Sequence, residues 1–355
     1  MRTFRTVRIL EQNLDSRPLQ PGKEPALSPG QGVGVEQKPF RPRRENMNVV
    51  DIKTATHAGG DFNKVPVTVS YPASLGAFRS DGVALSKFFT SYGSGTDHHV
   101  GRLAAFGILG GTNGSSRTVE TELSAVMRDD SGHVASSSLH EAVPAVLGPV
   151  TGSLIFEDDT ATSGKESSVI FNESVDEAYL VVAGFDVSYS GGDHHVKSLM
   201  LQFDGVNFTP GDASINFTPD LRIEDGSGNS GTGTAYVLGI GQTSNDPNQF
   251  RQLNWRSGQG EQTVEIRNQP TAIDQAFVFI REIELTYGNS DHHVREITID
   301  AGNTNLTTAD KLEADGTHTW KITFTPTLTM EDASGNKQSS ASDIDLLVLA
   351  TPQPA

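Results

Sequence analysis

The chain contains no cysteine. That excludes disulfides, thiolate zinc sites and cysteine nucleophiles, and it leaves the redox compartment open. No apolar run approaches the roughly 20 residues a membrane-spanning helix needs. Neither the basic start MRTFRTVR nor the internal start MNVVDIKTATHAGGDF carries an apolar h-region, so no Sec signal peptide is expected. That leaves the cytoplasm, an assembled particle or export by a non-Sec route. Basic residues number 27 against 44 acidic ones, a net charge of −17, which disfavours nucleic acid and anionic membrane as partners. There is no Gly-x-Ser-x-Gly elbow, and GSGNSGTGTAY lacks the Lys-Ser/Thr of a phosphate loop. No enzymatic activity is expected on these grounds.

Residues 1–46 are a different material from the rest. They hold nine Lys/Arg and five Asp/Glu, against 18 and 39 in the remainder, a net +4 beside −21. They are dense in Pro, Gly and Gln without strand or helix periodicity, and read as a disordered basic tail. Such a tail is either an arm that docks onto a neighbouring subunit or a leader upstream of a true start at Met47.

The remaining chain repeats itself three times. Asp-His-His-Val occurs as Asp97-His98-His99, Asp193-His194-His195 and Asp291-His292-His293, each followed by valine, at intervals of 96 and 98 residues. Each copy follows a tyrosine, Tyr92, Tyr189 or Tyr287. A second marker follows: VMRDDSGH, LRIEDGSGN and LTMEDASGN, whose glycines Gly132, Gly228 and Gly335 lie 35, 35 and 44 residues beyond the motif aspartate. The third copy therefore carries an insertion, expected near TNLTTADKLEADGTHTW. Each copy closes on an apolar run: HEAVPAVLG, TAYVLGIG or DLLVLA.

Period-two alternation marks strands on both sides of the motif. Val181, Ala183, Phe185, Val187 and Tyr189 precede it in the second copy, and Leu199, Leu201 and Phe203 follow. In the third, Ile283, Leu285 and Tyr287 precede, and Ile297 and Ile299 follow. Only SAVMRDD and ADKLEAD hint at helical spacing. The expected fold is all-β: three tandem homologous β-sandwich domains of immunoglobulin-like size, at 47–149, 150–243 and 244–355, behind the tail. The tyrosine and Asp-His-His-Val hairpin matches no named motif.

Strand geometry places successive side chains on opposite faces. In register with Leu199 and Leu201, the second histidine of each motif (His99, His195, His293) lies on the core face beside its aspartate. The first (His98, His194, His292) lies with valine on the other. The two imidazoles of one motif should therefore not grip one ion unless a bulge intervenes.

Three roles fit these nine residues. As architecture, the aspartate caps the turn and the histidine is oriented by it or by the tyrosine. As a metal site, carboxylate and neutral imidazole suit a divalent zinc, nickel or copper ion, with further ligands from elsewhere, such as His57, His133, His140 or His318, or one site shared between domains. As an Asp–His dyad they could orient a general base, but no nucleophile recurs. Six clustered histidines could also titrate together.

The segments Asp225–Asn229 and Asp332–Asn336 faintly resemble calcium loops but read better as hairpin turns. Trp320 reads as core. Trp255 also reads as core, with glycan stacking the alternative. The sequence thus points to a non-enzymatic structural or assembly protein, such as a phage or other particle component, that self-associates or binds protein partners. The alternative is a metal- or carbohydrate-binding module.

Overall fold

A computed structural model describes residues 49–58, 65–70, 78–93, 97–113, 118–135, 137–149, 153–192, 194–243 and 249–353. The tail expected over residues 1–46 lies outside them. The first repeat forms β1 (Val49–Ala58), β2 (Val65–Ser70), β3 (Phe78–Ser91), β4 (Arg102–Asn113), β5 (Thr118–Arg128) and β6 (Ser137–Pro149). The second forms β7 (Leu154–Thr162), β8 (Ser167–Ile170), β9 (Glu177–Ser188), β10 (Ser198–Asn207), β11 (Ser214–Glu224) and β12 (Ser230–Gln242). The third forms β13 (Phe250–Arg256), β14 (Gln262–Gln269), β15 (Ile273–Thr286), β16 (Glu296–Asp300), β17 (Thr307–Leu312), β18 (His318–Phe324), β19 (Thr327–Glu331) and β20 (Asp343–Pro352).

Among the described residues there is no α-helix, and one 3-10 turn at Asn303–Asn305. The two helix-like stretches of sequence lie in and around β5 and β17. The turn, β17 and β18 occupy the insertion expected in the third repeat. Strand formation follows alternation: in β11, Ile215, Phe217, Leu221 and Ile223 are buried while their neighbours are partly exposed.

The same antiparallel pairing recurs in all three repeats. The strand leaving the motif pairs with the strand that runs into the second marker, as β4–β5, β10–β11 and β16–β19. The strand entering the motif pairs with the last strand, as β3–β6, β9–β12 and β15–β20, and that last strand also takes the first, β1, β7 or β13. The apolar runs that end each repeat thus lie in strands paired on both edges.

Between repeats the strand entering one motif pairs with the strand leaving another: β9 with β4, β15 with β10, and β3 with β16. The register is identical, with Arg102 opposite Ser188, Ser198 opposite Thr286 and Glu296 opposite Ser91. The repeats therefore interlock in a cycle, each lending a hairpin to its neighbour's sheet.

This departs from separate sandwiches at 47–149, 150–243 and 244–355, because the sheets cross both boundaries. The physical reason is strand-edge satisfaction. The edges of β3, β9 and β15 that the last strands leave open are closed by another repeat.

Each of the three strands entering a motif also bulges at the same place. Pairing with the last strand skips Ser86, Ala183 and Arg281, each five residues before the strand end. A bulge shifts the side-chain alternation by one. Simple alternation put Val181, Ala183, Phe185 and Val187 on one face; instead Val181 and Ala183 pack in one core cluster and Phe185 and Val187 in another. The first of these clusters draws Ala84, Leu154, Val181, Leu238, Phe279 and Leu347 together from all three repeats.

Candidate functional site

The three Asp-His-His-Val corners meet. A bend at Gly101, Lys197 or Arg295 separates each motif from the strand that follows. At the bend the backbone N–H donates to Arg128, Glu224 or Glu331 in the same repeat, and the carbonyl accepts from Tyr189, Tyr287 or Tyr92 of another. Freed from the strand, the motifs pair with one another as isolated antiparallel bridges: Val100 with His194, Val196 with His292, Val294 with His98. Each bridge carries two backbone hydrogen bonds of 2.8–3.2 Å. The result is a closed three-sided ring, with each first histidine and each valine bonded to a different neighbour.

This ring corrects the expected facing. Val100, Val196 and Val294 are fully buried and belong to the main core cluster. His99, His195 and His293 stand on the opposite side, with His195 and His293 side chains about two-fifths exposed. The alternation along the tripeptide holds, but the bend turns the valine, not the second histidine, toward the core.

The first histidines lean on the recurring tyrosines of their own corner, with ring centroids 4.5 Å apart for Tyr92–His98, 4.6 Å for Tyr189–His194 and 4.7 Å for Tyr287–His292. Their Nδ1 atoms face buried carboxylates of the second marker: Asp129 at 3.2 Å, Asp225 at 3.0 Å and Asp332 at 3.1 Å. The sequence reads the segments at Asp225 and Asp332 as turns and the one at Asp129 only as a repeat marker, and none of the three aspartates was expected as a histidine partner; their recurrence at a similar distance beyond each motif was the available signal.

In the markers, Gly132, Gly228 and Gly335 all have φ near +90°, which explains the recurring glycine. Asp225 accepts from the backbone N–H groups of Ser227 (2.9 Å) and Asn229 (2.8 Å) and from the Asn229 amide. Asp332 accepts in the same way from Asn336. Donors crowd these oxygens, so the segments are Asx-type turns and not calcium loops. In the first repeat His133 replaces the asparagine and makes the same two contacts with Asp129, at 2.8 and 2.7 Å. Burial acts to raise the carboxyls of Asp129, Asp225 and Asp332, but these hydrogen bonds and the neighbouring imidazoles outweigh it and hold all three below the usual carboxylate range.

The second histidines form a triangle. Ring centroids lie 4.7 Å apart for His99–His195, 4.6 Å for His99–His293 and 4.6 Å for His195–His293. Asp97 and Asp291 each face a second histidine of another motif. Asp97 places Oδ1 3.3 Å from His293 Nδ1 and accepts from Ala333 N–H; Asp291 places Oδ1 3.8 Å from His195 Nδ1 and accepts from Gly226 N–H. Asp193 lies outside the described residues. Burial first, then the neighbouring His293 and His99, push the His195 imidazole below its ordinary range, with Asp291 opposing.

Among the described residues, two histidine-containing groups have donor atoms close enough to share an ion: His99, His195 and His293, and His98, Asp129 and His133. His318 instead pairs with Asp310 in the β17–β18 hairpin. The side chains of His57 and His140 lie outside the described residues. In the third corner Ser290 Oγ lies 2.9 Å from His292 Nε2, giving a Ser–His–Asp arrangement with Asp332; the residue at that position in the second corner is Gly192. Trp320 and Trp255 are both buried, and Trp255 Nε1 donates to the Gly260 carbonyl, so neither offers a stacking face.

Comparison with protein-family models, curated proteins and solved structures yields no match.

Proposed function

We propose that the chain is a non-enzymatic structural protein, in which three copies of one β unit interlock as a single-chain counterpart of a symmetric trimer. Its outer surface serves self-association or protein partners, in a phage or other assembled particle. The observation that carries this reading is the closed ring of bridges among the motifs. It uses the backbone of the repeated corner as a joint between repeats, which accounts for three copies without requiring three reactions. The acidic body, at −21 beyond residue 46, keeps such a unit soluble before assembly.

Size-exclusion chromatography with light scattering, over a wide concentration range, tests the reading. Multimers of defined copy number are expected; a strict monomer throughout, with no binding to purified particles from its source, sinks it. A fluorophosphonate probe tests the non-enzymatic half: covalent labelling of Ser290 would overturn it, because an activated serine is then present.

A further inference from the structure

We propose that His99, His195 and His293 form a binding site for one divalent transition-metal ion, held on the axis where the three corners meet. The sequence alone distributed candidate ligands over nine residues in three motifs. The fold selects one histidine from each and gathers them into a single triad.

Four observations carry the inference. The first is composition: three imidazoles and no thiolate suit zinc, cobalt, nickel or copper in the divalent state. The second is distance. The candidate donor atoms lie within 4.8 Å of one another. Metal–nitrogen bonds of about 2.1 Å place tetrahedral ligands about 3.4 Å apart, so each ring needs to move inward by about 0.8 Å at most.

The third is orientation. Carboxylates face Nδ1 of His293 and His195, from Asp97 and Asp291. A carboxylate that accepts a hydrogen bond from Nδ1–H fixes the tautomer that leaves the Nε2 lone pair to the metal, and it is the usual outer partner of a metal-bound histidine. Those two carboxylates are fixed in turn by the Ala333 and Gly226 backbone N–H groups. The fourth is access. The His195 and His293 side chains are about two-fifths exposed while the valine that follows each second histidine is buried in the core, so an ion can enter from solvent while the backbone ring holds the rings' spacing. Three protein ligands leave at least one position open on the solvent side, for water or a partner's side chain.

The other candidate group, His98, Asp129 and His133, is less suited. Both Asp129 oxygens already accept from His133, and Asn229 and Asn336 stand where the second repeat and third repeat would need a matching histidine.

The test uses the full chain without a histidine tag, stripped with chelator and then loaded with zinc or cobalt(II). Elemental analysis is expected to find one ion per chain, with a cobalt absorption spectrum of nitrogen coordination. Replacing all three ligands by glutamine should abolish retention, with far-UV circular dichroism unchanged. H133Q and H318Q should retain the ion. D97N and D291N, which leave all three rings in place, should weaken zinc binding by about 10–100-fold. Retention well below one ion per chain, or one ion still held by the triple glutamine variant, overturns the proposal. Should the triple variant fail to fold, the single D97N and D291N variants decide: unchanged zinc affinity in both overturns it.

Discussion

Asp225→Ala removes the acceptor on which one corner is built. The carboxylate is 6% exposed and takes two backbone N–H groups, the Asn229 amide and the His194 ring. Hydrogen bonds to a charged group contribute about 1.5–3 kcal/mol each. Ser227 and Asn229 are exposed, so water replaces the carboxylate at their N–H groups and most of that share is recovered. The half-buried His194 ring has less access to water. We therefore expect a loss of about 2–3 kcal/mol.

Because Asp129 and Asp332 occupy the same position, their alanine variants should fall within about 1 kcal/mol of that value. Asp225→Asn keeps an acceptor for the two backbone groups but turns an amide toward Asn229 and His194, and should cost about 1–2 kcal/mol.

The pH dependence has a definite sign. A carboxyl lowered by folding stabilises above its unfolded pKa, near 3.9, and that stabilisation is lost as pH falls through its lower folded value. The gap between wild type and Asp225→Asn should thus be full near neutral pH and shrink below about pH 4. Urea denaturation followed by circular dichroism measures it. A D225A variant within about 0.5 kcal/mol of wild type at neutral pH, or a gap that widens in acid, would refute the reasoning.

Two further substitutions probe the repeat. His133→Asn places in the first repeat the residue found at 229 and 336, which makes the same two contacts; its unfolding free energy should stay within about 0.5 kcal/mol of wild type, whereas His133→Ala should cost about 1 kcal/mol. Asn303→Ala should cost about 2–4 kcal/mol by the same denaturation assay, because the buried Asn303 amide bonds both the N–H and carbonyl of Val278 and the hydroxyl of Ser86, tying the third repeat to the first. A variant as stable as wild type would show that water takes over those contacts.

The sequence by itself determined the class of fold and its period. Alternation of apolar and polar residues reports directly on which face of a strand is buried, so the β character, the three copies and the insertion in the third were all readable. The sequence also fixed a local rule, that neighbouring histidines of one motif diverge, because that follows from backbone pleating alone.

Only the tertiary structure decided where those faces point. Hydrogen bonding between strands is carried by backbone groups that every residue has, so nothing in the side chains announced that β3, β9 and β15 would be completed by another repeat. Nor did the pattern show the bulges at Ser86, Ala183 and Arg281, or the bends at Gly101, Lys197 and Arg295 that turn valine inward and free the second histidine. The meeting of His99, His195 and His293 depends on residues nearly 200 positions apart, brought together by strand exchange between repeats. That is a property of long-range pairing, which local periodicity cannot encode.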